Sequence, residues 1–250
     1  TLNLIGLEFG SDLMKANEEN PKGYFENNFV FKLNEKILRE NGSSWEDYRF
    51  DLSAVDKIKK DGYIKEAKKI IEDEFRYAAN FAIKDPRICL LFPIWEEACN
   101  QLGISIKVLL PYRNPLEVAA SLKKRDGFSY ERSLLLWIWH FLSAEQFSRK
   151  YERIFLAFDH LIDNTNDILK KLEIFMNFNL TDKKVKNIND FLDKKVKHNN
   201  ISIENFTKET PIFIQNIITI IRDEKFDDIK LFDEIKNEFY YSLEMFQYQE

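Results

Sequence analysis

The stretch SIKVLLPYRNPLEVAASLKKRDG, residues 105–127, decides the fold. Its first eight residues form a short apolar run that reads as a strand, and Arg113 stands immediately after it. Asn114 then suits a helix N-cap, Pro115 the first helical position and Glu117 the third, a capping box with asparagine in place of serine. A strand therefore passes directly into a well-specified helix. Ser121 lies seven residues after Asn114, on the same face and about 10 Å along the axis. A guanidinium at a strand end and a hydroxyl on the helix that follows are able to hold one anion between them, because arginine bonds phosphate through two parallel N–H groups. The same spacing fits an arginine on the rim and a serine packed in mid-helix.

Two further runs share the pattern of a short apolar strand followed by a helix: NFAI (80–83) and RIFLAF (153–158). Strands that alternate with helices imply a parallel sheet under helical cover. Ligands of such sheets bind beyond the carboxyl ends of the strands. That directs attention to Lys84-Asp85-Pro86-Arg87, to Arg113 and to Asp159-His160. Elsewhere helices are expected. Phe29, Leu33 and Ile37 recur at four-residue spacing and stop at Gly42, a suitable C′ residue. Ile64, Ala67, Ile71, Phe75 and Ala78 form a second apolar face. Ser129 caps a long apolar helix, Thr210 and Pro211 open another as N-cap and first residue, and a last helix is expected near 226–247.

At 250 residues and 44% hydrophobic content the chain is long enough for a packed core. One domain is expected, with a core over residues 1–200 and a helical extension over 201–250. A net charge of −5 argues against general nucleic-acid binding. No apolar run approaches the roughly 20 residues of a membrane span. Cys89 and Cys99 lie ten positions apart on one expected helix, about 15 Å along its axis, too far for a disulfide, which fits a reducing, cytoplasmic setting. No CxxC or Cys/His cluster points to zinc, and GxSxG, HExxH and GxGxxG are missing. Lys194, Lys195, Lys197 and His198 form a basic run that is also an ordinary solvated face. Glu26, in NPKGYFEN (20–27), is either a base or a carboxylate at a helix N-terminus. His140 fits an apolar helix as a core residue.

Taken in order, NPKGYFE, KDPRICLLFPIW, LPYRNPLEVAASLKKRDG and LLLWIW resemble the sulfotransferase family that uses 3′-phosphoadenosine 5′-phosphosulfate. The resemblance spans roughly residues 1–200 and implies a P-loop-NTPase-like parallel sheet flanked by helices, with a helix-rich C-terminal part. It implies that Arg113 and Ser121 grip the 3′-phosphate of the donor. It places Lys84 and Arg87 near the cleft and Glu26 as the acceptor's base, and it matches Lys197 and His198 loosely to a nucleotide-binding basic segment. The acceptor implied is a small molecule or carbohydrate bearing a hydroxyl or amine, with no metal required. The family opens with a strand and a loop that binds the 5′-phosphosulfate. TLNLIGLEFGSDLM resembles instead the end of the helix after that loop, so the loop is expected to precede Thr1, and residues 1–250 alone are expected not to transfer sulfate. The alternative is a non-catalytic member of the same fold that binds a nucleotide or a partner. A P-loop small-molecule kinase is disfavoured, since no GxxxxGK[ST] appears.

Overall fold

The computed structural model describes residues 1–17, 20, 22–192 and 211–247, the last three as backbone only. In chain order these residues form α1 (Leu2–Ile5), α2 (Asn28–Glu40), a 3-10 turn (Leu52–Ala54), α3 (Lys57–Phe75), α4 (Ile88–Gln101), β1 (Lys107–Tyr112), α5 (Pro115–Asp126), α6 (Tyr130–Ser148), β2 (Glu152–Ala157), α7 (Phe158–Asp163), α8 (Thr165–Met176), α9 (Asp182–Phe191), α10 (Ile212–Arg222) and α11 (Ile229–Gln247). The architecture is α/β and rich in helix, with a small parallel sheet of two strands. The chain divides into two compact units, Thr1–Tyr112 with Trp139–Val196, and Arg113–Ile138 with Lys197–Glu250.

In the first unit β1 and β2 pair in parallel, from Lys107 opposite Glu152 to Tyr112 opposite Ala157. Two cores form. In one, Leu156 of β2 packs with Ile5, Ile168, Leu169, Leu172 and Ile188 from α1, α8 and α9. In the other, α3 lies against α2 and α4. Leu33, Ile37, Ala67, Ile71, Leu91 and Ile94 are buried there, and the buried Trp95 indole donates to Asn34 Oδ1 at 2.8 Å. Three helices of this unit start on side-chain caps. Asn27 accepts from the N–H groups of Phe29 and Val30, Asp56 from those of Ile58 and Lys59, and Thr181 from that of Lys184. Gly42 closes α2 in the left-handed region at φ 70°, with Ser43 N donating to Leu38 O.

In the second unit Gly127, at φ 73°, ends α5. The Ser129 hydroxyl caps the start of α6, accepting from Arg132 N at 3.2 Å. α10 and α11 pair as a hairpin whose buried residues include Phe213, Ile217, Phe232, Ile235 and Phe239, with Phe213 and Phe239 edge to face at 5.6 Å.

Several expectations need correction. NFAI is not a strand: Phe81 forms only an isolated parallel bridge with Glu8. The cause lies in the segment opposite, where Gly6 at φ 109° and Gly10 at φ 86° leave only three residues between them to run extended. The apolar face of α3 runs through Tyr63, Ala67, Ile71 and Phe75, so Ile64 lies off it and Ala78 beyond its end. Phe29 is 43% exposed, and Val30 takes its place in the core. Pro211 is the N-cap residue of α10 rather than its first helical position, and Thr210 lies outside the described residues. β2 ends at Ala157, so Phe158 opens α7. α11 begins at Ile229, where the Asp228 carboxylate accepts from Leu231 N.

Candidate functional site

Arg113 stands just before α5 and Ser121 is its seventh residue, both in the second unit. The helix begins as its sequence dictates, with Asn114 Oδ1 accepting from Leu116 N at 3.0 Å and Pro115 at the first position. Glu117, the third helical residue, takes Arg113 as a partner: its Oε2 accepts from Arg113 Nε at 2.8 Å. The Glu117 side chain is 3% exposed and that of Arg113 is 24% exposed. A carboxylate so deep is tolerable only when paired. The bond in turn fixes the plane of the guanidinium, the geometry that bidentate oxyanion recognition needs. Ser121, one turn further along the same stripe, is exposed. The arrangement is an oriented cation at the positive end of a helix with a hydroxyl on the same face.

Glu26, Lys84 and Arg87 belong to the first unit. Lys84 Nζ donates to Glu26 Oε1 at 2.6 Å and to Tyr24 O at 2.9 Å. The Glu26 side chain is 7% exposed and Lys84 is 49% exposed, so the carboxylate faces inward and the ammonium reaches the surface. Arg87 turns the other way. Its Nε donates to the Glu35 carboxylate on α2, its Nη1 lies 3.3 Å from both Asp85 carboxylate oxygens, and the guanidinium sits 4.6 Å above the Phe31 ring. Asp85 Oδ1 also accepts from Arg87 N at 2.7 Å, and Asp85 O from Ile88 N, which starts α4. Arg87 thus pins the turn between Lys84 and α4 to α2, and the structure gives it a bracing place.

A further cluster carried no sequence signal. Four donors gather on Glu74 of α3: Ser11 N at 2.7 Å, Ser11 Oγ at 3.1 Å, Asn27 Nδ2 at 2.7 Å and the backbone N–H of Asp12. Burial pushes the Glu74 carboxyl up, but these hydrogen bonds outweigh it and hold it below the ordinary glutamate range. Gly10 makes room for the cluster. A Cβ there would lie 2.3 Å from Asn27 Nδ2 and 2.6 Å from Glu74 Oε2. The partners are 47 and 63 residues apart in sequence, so no periodicity marks them.

Both cysteines lie on α4 and are free. Burial pushes the Cys89 thiol up to about 12 and that of Cys99 up to about 11, so neither is a nucleophile at neutral pH. His160 is exposed and His140 half-buried on α6. Lys194, Lys195, Lys197 and His198 lie outside the described residues. Among the described residues no group of three or more His, Cys, Asp or Glu side chains is arranged to hold a metal ion, and no helix is long and apolar enough to cross a membrane. Comparison with family models, curated proteins and solved structures finds no match.

Proposed function

We propose that the chain is a sulfotransferase that binds 3′-phosphoadenosine 5′-phosphosulfate and passes its sulfuryl group to a hydroxyl or amine acceptor. The observation that carries this is the stripe Arg113, Glu117 and Ser121 at the start of α5. There a buried carboxylate orients a partly exposed guanidinium beside a capped helix N-terminus. Arg113 and Ser121 hold the donor's 3′-phosphate, which recognises the carrier and breaks no bond. The acceptor oxygen or nitrogen attacks sulfur, the bond from sulfur to the bridging phosphate oxygen breaks, and 3′-phosphoadenosine 5′-phosphate leaves. Glu26 takes the acceptor's proton. Its Oε1 holds Lys84, and the second carboxylate oxygen is the one assigned to the proton. Lys84, half exposed and bonded to Glu26, supplies positive charge next to that base. The helix-rich α/β architecture with parallel strands is consistent with a P-loop-NTPase-like sheet, and the two free thiols with a cytoplasmic location.

A second possibility, nucleotide or partner binding without catalysis, is favoured by one observation: Lys84 and Arg87 are both committed to carboxylates of the chain itself.

Calorimetry with 3′-phosphoadenosine 5′-phosphate and with adenosine 5′-phosphate tests the proposal. The first should bind about tenfold or more tightly, the value of a charge-assisted contact to the extra phosphate. Equal affinities, or no binding of either, would overturn the donor assignment. Preference for the 3′-phosphate without sulfuryl transfer, in a protein that carries a 5′-phosphosulfate loop, would support the binding-only alternative.

A further inference from the structure

We infer that Glu74 is the positioning residue of the Glu26–Lys84 pair, acting through Asn27 and the segment Phe9–Asp12. The inference rests on Glu26 being the proposed base. Glu26 lies between two residues that are each fixed from elsewhere. On one side, Phe25 is held in the left-handed region at φ 55°, a conformation that costs a bulky residue energy and persists only where its surroundings enforce it. Its ring packs edge to face on the buried Phe9 at 5.9 Å. On the other side, Asn27 directs its amide nitrogen to Glu74 Oε2 while its Oδ1 caps α2. Glu26 itself is fastened by its backbone, with Met14 N donating to Glu26 O at 2.7 Å. The segment that carries Phe9 and Met14 is in turn fastened to Glu74 by Ser11 N and Oγ. It is also paired with Asn28, which donates from its backbone N to Asp12 O and from Nδ2 to Asp12 Oδ1. Two of these supports, Asn27 and the segment Phe9–Met14, therefore meet at one carboxylate on α3. Without Glu74 the segment that carries Phe9 and the cap that follows Glu26 both lose an anchor, and a return of Phe25 to the extended region would swing Glu26 away from Lys84 Nζ.

Three variants separate positioning from plain stability. Glu74→Gln keeps the shape but sets an amide nitrogen against the donors of Ser11 and Asn27. Asn27→Ser removes the amide bond to Glu74 and keeps an oxygen to cap α2. Glu72→Gln changes an exposed carboxylate on the same helix and serves as control. The readout is the 15N-resolved ammonium resonance of Lys84, assigned by its disappearance in Lys84→Arg. An ammonium held at 2.6 Å by a buried carboxylate should be protected enough to observe in the wild type. The expected result is loss of that resonance in Glu74→Gln and Asn27→Ser and its retention in Glu72→Gln. If Glu74→Gln fails to fold, Asn27→Ser alone decides. A Lys84 resonance unchanged in Asn27→Ser or in folded Glu74→Gln overturns the inference, as does its absence from the wild type. The calorimetric comparison of the two nucleotides is a separate arm: loss of the Lys84 resonance in variants of a protein with no preference for the 3′-phosphate removes the sulfotransferase proposal and leaves the positioning intact.

Discussion

The two places where the chain gathers charge are built in opposite ways. The Arg113 stripe is local: three residues at four-residue spacing, a proline, an asparagine cap and one helix supply all of it. The Glu26–Lys84 pair is assembled from a distance. Its members are 58 residues apart, and its supports reach to Glu74 and Ser11 on other segments. A local motif survives as long as its helix does. A site gathered from several segments depends on packing and on backbone conformations that only the whole unit enforces. Damage to the second should therefore be a matter of folding first, and damage to the first should show in binding as well as in stability.

The two glycines at φ 86° and φ 73° break or sharpen that contrast most strongly. Gly10→Ala should cost about 2–4 kcal/mol, read from the urea midpoint, since the new methyl meets Asn27 and Glu74 as well as an unfavourable φ. Gly127→Ala, with open space around it, should cost only about 1 kcal/mol. Equal losses would show that the Glu74 cluster is looser than its geometry implies. Next in size, Arg113→Ala should weaken binding of 3′-phosphoadenosine 5′-phosphate by about 1.5–3 kcal/mol, and should also lower the thermal midpoint, because it leaves the buried Glu117 carboxylate without this partner. A large fall in stability without change in affinity would make Arg113 a brace like Arg87. Smaller again, Asn114→Ala should cost about 1 kcal/mol of stability through the lost cap.

The smallest effect at neutral pH is that of protons. The Glu74 pKa is lower in the folded chain than in the unfolded one, so its stabilising contribution is complete above the ordinary glutamate value of 4.5 and is lost as pH falls through the lower folded value. Below pH 4.5 the wild type should lose stability more steeply than Glu74→Gln. Parallel acid limbs would show that Glu74 is not held as its hydrogen bonds indicate.

The same contrast explains how far the sequence could be read. Asn114, Pro115, Ser129 and Gly42 act where spacing places them, because caps and turns are decided within a few residues. The strand at 107–112 was visible as an apolar run, and its partner at 152–157 lies one residue from its expected place. NFAI carries the same composition but fails as a strand because the segment opposite it is cut short by Gly6 and Gly10, more than 70 residues earlier. Glu117 looked like half of a capping box, and the structure makes it the partner of Arg113, a role that burial decides and spacing does not. The resemblance places Arg87 near the cleft, and spacing carries no sign that Glu35 and Asp85 hold it. Glu74 had no signal at all, since its four donors come from two segments that meet only on folding.

The most direct test of the central claim crosses ligand with residue. Calorimetry on the wild type and on Arg113→Ala, each with 3′-phosphoadenosine 5′-phosphate and with adenosine 5′-phosphate, measures the coupling between this guanidinium and the 3′-phosphate. The account predicts that the wild type prefers the 3′-phosphorylated nucleotide about tenfold or more and that Arg113→Ala loses most of that preference. An undiminished preference in Arg113→Ala would contradict it.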